Sequence, residues 1–177
     1  MPDMETGTVT QKLKLFAKRL RQLWYTPRVR LRAQACGEGP KVNGPTRINN
    51  NTYLGSNVNI NGLQIDGRGK VTIGDNFHSG TECLFITQTH DYDGGDTIPY
   101  GSGYILKDIV IEDNVWIGSR VIVLGGVTIG EGAVIQAGSC VVSDIPKYAV
   151  AGGHPATVFK QRDIEHYERL KREGRFR

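Results

Sequence analysis

Aliphatic residues recur every six positions along much of this chain. Ile111, Ile117, Val123, Ile129, Ile135 and Val141 form one unbroken series. A second runs two residues ahead of it: Ile109, Val115, Val121, Val127, then the smaller Ala133 and Ser139. The same period appears earlier at Val42, Ile48, Leu54 and Ile60. It resumes at Ile73 after one extra residue, whose slack falls in the turn-rich "DGRGK" of residues 66–70. A period of six matches neither the helical repeat nor the alternation of a long strand. It fits a coil of short strands that turns a corner every six residues and sends one aliphatic inward per repeat. The third residue after an inward position is often Asn or Gly: Asn51, Asn57, Asn76, Asn114, Gly126, Gly132 and Gly138. Those residues tolerate the left-handed conformation that tight corners can demand. Three corners per turn would give ~18 residues per coil, stacked as a solenoid.

The ends follow another pattern. In residues 10–25, Leu13, Phe16, Leu20, Leu23 and Trp24 share one helical face, with Lys12, Lys18, Arg19 and Arg21 around the rest. The pattern predicts a helix whose apolar face caps the open first coil. A second reading makes it a foot on an anionic membrane, a peripheral contact through residues 10–25. The C-terminal "RDIEHYERLKREGR" predicts another short, solvated helix. The chain thus divides into an N-terminal helix and cap (1–40), a coil domain (41–160) with an excursion over 86–108, and a C-terminal helix (161–177).

A length of 177 residues suits one domain. Charge is uneven: residues 12–32 carry eight Lys or Arg and no acid, whereas residues 33–159 carry seven basic and twelve acidic side chains. A nucleic-acid binder concentrates basic surface on the body of its domain, so nucleic acid is not expected as a partner. Cys36, Cys83 and Cys140 lie far apart, without the spacing of a disulfide framework or a zinc site. The polar start "MPDMETGTVTQK" does not read as a signal peptide, and no apolar run has membrane-spanning length, so a cytoplasmic protein is expected.

The period breaks between Phe85 and Ile111, 26 residues apart, which is not a multiple of six. An excursion of this kind in a compact domain is often functional. "ITQTHDYDGGDTIPY" places His90 in it, the excursion's only group that titrates near neutral pH.

The train "VWIGSRVIVLGGVTIGEGAVIQAGSCVVSDIP" resembles the hexapeptide-repeat acyltransferases, especially the galactoside and maltose O-acetyltransferase branch and its polysaccharide-modifying relatives. The resemblance spans roughly residues 42–160. It implies an all-β solenoid, the left-handed parallel β-helix of triangular section. It also implies a homotrimer with sites between neighbouring prisms, acetyl-CoA as donor, and a sugar or glycan hydroxyl as acceptor. His90 matches the family's general base: imidazole can take the acceptor proton as the hydroxyl attacks the thioester and return it to the leaving thiolate. Glu82, Asp91 and Asp93 are candidates to orient its ring, and Asp93 also to contact the acceptor. Ser119 matches the oxyanion donor, through its backbone N–H, its hydroxyl or both; an ordinary corner serine is the alternative. Trp116 and Gly118 of "WIGS" match the donor channel, and Ala137–Gly138 leave room for pantetheine. The donor's phosphate contacts depart from the family pattern. Ser143 stands where lysine is usual and Thr157 at a second basic position, while Lys160 is kept and Arg162 or Lys147 are possible substitutes. Asn59 and Asn61 match acceptor-side amides, although corner asparagines also serve the backbone.

Of the other histidines, His78 is expected on the coil exterior, His154 in a Gly-Pro turn and His166 on the polar C-terminal helix. Within the same class, an antibiotic hydroxyl or an amino-sugar amine are alternative acceptors. The zinc carbonic anhydrases that share the fold need three converging histidines, and the repeats hold no third, so no metal is expected. A non-catalytic binding or structural solenoid is the reading of another class.

Overall fold

The structure, a computed structural model, describes residues 9–177. The first eight residues of the N-terminal segment lie outside the described residues. Fifteen of the short strands stack into three parallel sheets, the faces of a triangular prism. The first face holds Ala35–Cys36, Thr52–Leu54, Val71–Ile73, Ile109–Ile111 and Thr128–Ile129. The second holds Lys41–Val42, Asn59–Ile60, His78–Ser79, Trp116–Ile117 and Val134–Ile135, and the third Thr46–Arg47, Leu63–Asp66, Cys83–Ile86, Ile122–Leu124 and Cys140–Val141. Trp116 pairs with Val134 and Ile122 with Cys140, so one coil consumes 18 residues, the length that three six-residue sides demand. A sixth coil closes with Ile145 bridged to Ile129 and Ala149–Gly153 on the second face.

Both aliphatic series point inward. Ile111, Ile117, Val123, Ile129, Ile135 and Val141 are buried, and so are Ile109, Val115, Val121, Val127, Ala133 and Ser139. Each repeat therefore sends two side chains to the core rather than one. A strand before a corner must present alternate residues to the same side. Six of the seven expected corners carry the left-handed backbone: Asn57, Asn76, Asn114, Gly126, Gly132 and Gly138 have positive φ, whereas Asn51 does not. Glu82, Arg120 and Tyr148 occupy the same phase with positive φ and no glycine or asparagine to ease it. Glu82 and Arg120 are stacked one coil apart and joined by a 2.8 Å ion pair.

The end of the coil is closed by an antiparallel return. Ala149–Gly153 turns through cis His154–Pro155 into Ala156–Gln161, so His154 sits at a hairpin turn as expected. Helix α2 (Ile164–Arg172) is capped by Asp163, whose carboxylate accepts from the His166 N–H. It is more than the solvated helix expected from its polarity, because its buried Tyr167 lies against Gly132 and donates to Glu131 at 3.1 Å. Glu131 also receives Lys171 and Lys147. Burial pushes its carboxyl up, but the hydrogen bonds from Lys171, Tyr167 and Lys147 outweigh that and hold it below the ordinary glutamate value.

Helix α1 (Val9–Arg32) crosses the start of the first coil. It covers that edge, as a cap should, but with the face opposite to the one expected. Gln22 donates to Asn43 at 2.7 Å, Thr26 Oγ1 accepts the Val42 N–H at 3.1 Å, and Val29 is buried. Leu13, Phe16, Leu20, Leu23 and Trp24 remain exposed. The thiols Cys36, Cys83 and Cys140 are free.

Candidate active site

The excursion springs from the corner between the third and first faces. Val71 pairs with Ile109, 38 residues later, so the coil resumes in register after one coil plus twenty residues. The exit is pinned by Thr87, a buried residue whose hydroxyl donates to the Asp66 carbonyl at 2.8 Å and accepts the Gly69 N–H at 3.1 Å. The "DGRGK" insert is the seat of this exit. A Cβ on Gly67 would lie 2.5 Å from Thr87 Oγ1, and one on Gly69 would lie 2.7 Å from the Thr87 carbonyl oxygen. The slack in the six-residue period is thus where the excursion is clamped.

The excursion has its own structure, which the sequence reading did not anticipate. Gln88–His90 pairs antiparallel with Tyr104–Leu106, placing His90 opposite Tyr104. Asp91 ties the tip: its carboxylate accepts the Gly94 N–H at 2.7 Å, its carbonyl the Gly101 N–H at 2.9 Å, and its own N–H reaches Gly103. The His90 ring is stacked on Tyr100 at 3.8 Å between centroids and tilted against Tyr104 at 4.6 Å. Its Nδ1 is buried without a hydrogen-bond partner. None of the three carboxylates considered for it fills that role. Glu82 is paired with Arg120 at another corner, Asp91 is spent on the tip, and Asp93 is exposed at the tip. Tyr100 and Tyr104, which pack on the candidate base, are not singled out by the sequence. Their only signal was the pair of tyrosines flanking "GSG", and the register that brings them to His90 is a tertiary fact.

Ser119 stands elsewhere, at the corner between the second and third faces. Its Oγ accepts the Thr81 N–H at 3.1 Å and lies 3.3 Å from the Thr81 hydroxyl, so the side chain staples one coil to the next. Other corners repeat this device: Ser56 N–H to Asp75 and Asp75 N–H to Asp113, each at 2.7 Å. The Ser119 N–H has no such acceptor among the described residues, because Ala137 is stacked on it. Gly118 lets the coils approach, since a Cβ there would lie 2.5 Å from the Ala137 amide nitrogen. Ala137 and Gly138 are exposed, and Gly138 needs its glycine for a φ of +72. The same corner holds Asn61 one coil below Thr81. Asn59 and Asn61 both accept from the Asn43 amide, in a network continuing to Gln22 of α1. These amides are committed to tying coils together.

Trp116 is exposed on the second face, in register with His78. Both line a cavity of about 460 Å³ under the C-terminal segment, with Asn76, Asn114, Tyr167 and Phe176. His78 is therefore half-buried rather than on open surface. Burial lowers its pKa, aided by the charges of Arg177, Lys41 and Lys18 and countered by a hydrogen bond the ring donates to the Arg177 backbone. Ser143 lies exposed beside the third-to-first corner and Lys160 on the antiparallel return, so the structure does not bring them together. Arg162 and Lys147, considered as substitutes for phosphate binding, are engaged at the Gly132 carbonyl and Glu131. Among the described residues, no three His, Cys, Asp or Glu side chains stand together as a metal site.

Residues 108–143 match the bacterial transferase hexapeptide (six repeats) family model. The galactoside O-acetyltransferase of Escherichia coli K12 is 36% identical over 137 residues, covering 74% of this chain and 66% of that protein. The solved galactoside acetyltransferase in complex with coenzyme A superposes with a TM-score of 0.68 at 28% identity, over 92% of this chain and 88% of that one. A Vibrio cholerae hexapeptide-repeat acetyltransferase complexed with acetyl-coenzyme A gives 0.66 at 26%, over 91% and 92%. The chain belongs to the hexapeptide-repeat acetyltransferase family, with the left-handed β-helix fold. This hexapeptide-repeat chain spans about half the length of the first curated relatives it matches, 45% to 56%.

Proposed function

We propose that this chain is an acetyl-CoA-dependent O-acetyltransferase acting in the cytoplasm on a hydroxyl of a sugar or glycan precursor, with His90 as general base. The observation that carries the reading is the buried, unpartnered Nδ1 of His90, held between two tyrosines on a clamped hairpin. A buried polar atom without a partner costs about 1–3 kcal/mol, and such costs concentrate where a group must be ready for a ligand. The galactoside acetyltransferases supply the analogy for donor and acceptor.

In this mechanism the acceptor hydroxyl gives its proton to the His90 imidazole as its oxygen attacks the acetyl carbonyl. The Ser119 N–H donates to the oxyanion that forms, beside the open Ala137–Gly138 backbone. The tetrahedral intermediate collapses with loss of the coenzyme A thiolate, which takes the proton back from the imidazolium. His90 and Ser119 belong to different corners of one prism, so each site uses the hairpin of one copy and the Ser119 corner of the next. That makes a closed oligomer, a homotrimer in this reading, part of the mechanism.

Purified protein with acetyl-CoA and a panel of sugars and glycans should release thiol in an acceptor-dependent way, and His90→Ala should abolish it. Mixed oligomers of His90→Ala and Ala137→Trp, each inactive alone, should regain activity. Failure of the mixture would reject the shared site, and undiminished turnover by His90→Ala would reject the base.

A further inference from the structure

Helix α1 meets the prism with one face and leaves another bare. Residues along a helix advance by about 100°, so Gln22, Thr26, Val29 and Ala33 fall on the side turned to the first coil. Leu13, Phe16, Leu20, Leu23, Trp24 and Leu31 fall on the opposite side, within about a third of the circumference. They are 61, 61, 50, 72, 58 and 87% exposed. No described residue covers them, apart from Arg28, whose guanidinium lies over the Trp24 ring at 3.6 Å.

The margins of this stripe are cationic. Lys12, Arg19 and Arg30 flank it on one side, and Lys14, Arg21, Arg28 and Arg32 on the other, by the same angular count. With Lys18 these make eight basic residues and no acid between Lys12 and Arg32. No helix of the described residues is long and apolar enough to cross a membrane. An exposed apolar stripe between two cationic rows is the pattern of a helix that lies in the plane of an anionic lipid interface, its apolar side chains in the acyl boundary and its cations at the headgroups.

We infer that α1 is a lipid-docking element and that this protein binds anionic membrane surfaces through it, lying flat with the prism held on the aqueous side by Gln22, Thr26 and Val29. Charge decides for lipid over a second α1: two copies packed by this stripe would bring their cationic margins together, whereas anionic headgroups neutralise them. The inference is independent of the catalytic reading.

The test is co-sedimentation of the full chain with vesicles of phosphatidylcholine alone or containing about one-third phosphatidylglycerol, with light-scattering mass measured in parallel. Binding should need the anionic lipid, weaken with added salt, and fall at least about tenfold in Leu20→Gln/Leu23→Gln/Trp24→Gln and in Lys12→Gln/Arg19→Gln/Arg21→Gln. Both variants should keep the parent's melting temperature and mass, because the altered side chains project away from the prism. Absence of sedimentation, equal binding to neutral vesicles, or undiminished binding by the apolar variant would overturn the inference. So would a lower oligomeric mass for the apolar variant, which would assign the stripe to a second copy.

Discussion

The coil and the hairpin it carries are built on opposite principles. In the coil, polar corner groups are paired with the turn above or below, through ladders such as Ser56–Asp75–Asp113 and Asn57–Asn76–Asn114. In the hairpin strand Gln88–His90, two buried polar atoms, Gln88 Oε1 and His90 Nδ1, have no partner, and they are the two found among the described residues. Repetition optimises a neighbour relation once and applies it six times. The excursion has no such template and carries unmet hydrogen-bonding capacity into the site. With His90 as the proposed base, stability and reactivity would be separable by position.

The sharpest way to break that comparison is at His90. His90→Ala should lower acetyl transfer by about 10²–10⁴-fold while leaving the melting temperature unchanged; a large fall in melting temperature would show that the hairpin is part of the solenoid's stability. Ile117→Ala, in the centre of the coil and fully buried, should do the reverse. It should cost about 2–5 kcal/mol in denaturant unfolding, with the surviving folded enzyme retaining its acceptor preference. Gly69→Ala falls between the two. The added methyl collides with the Thr87 carbonyl at the hairpin's seat, so turnover should drop at least about tenfold with a small stability loss, read by kinetics and melting together.

A smaller effect concerns Glu131 under α2. Its carboxyl is held below the ordinary value of 4.5, so the folded state favours the ionised form. That stability is present above about the ordinary value and is lost as pH falls through the lowered one. Acid titration of unfolding should show this increment in the parent and lose it in Glu131→Gln. Identical acid profiles would mean that Tyr167 packing alone holds α2.

The sequence revealed the coil almost completely. The six-residue period identified the inward residues, the extra residue near 66–70 and the left-handed corners at Asn57, Asn76 and Asn114, because each depends only on near neighbours. It did not reveal the positive φ of Glu82, Arg120 and Tyr148, where stacking overrides residue preference. For α1 the apolar stripe was legible, but amphipathicity says which face is apolar and not which face packs. Gln22 and Val29, not Phe16 and Leu20, proved to be the contacts. For the candidate site, the excursion that carries His90 was visible as a broken rhythm, whereas the packing of Tyr100 and Tyr104 on that ring required the antiparallel register of a hairpin. The separation of His90 from Ser119 followed from the corner each occupies, a count that needed the excursion's length resolved into one coil and a remainder.

The register across that excursion also bears on how the chain reaches its native state. Neighbouring coils elsewhere close over 16 to 20 residues, but the third and fourth close over 38. For a flexible loop, a doubling in length adds only about 0.6 kcal/mol to the entropy of closure. The two halves of the solenoid can thus nucleate separately and zip together across the junction, with little delay from the segment between them. The same arithmetic leaves that segment free to change length and content without disturbing the prism, so whatever the excursion carries can vary at nearly constant foldability.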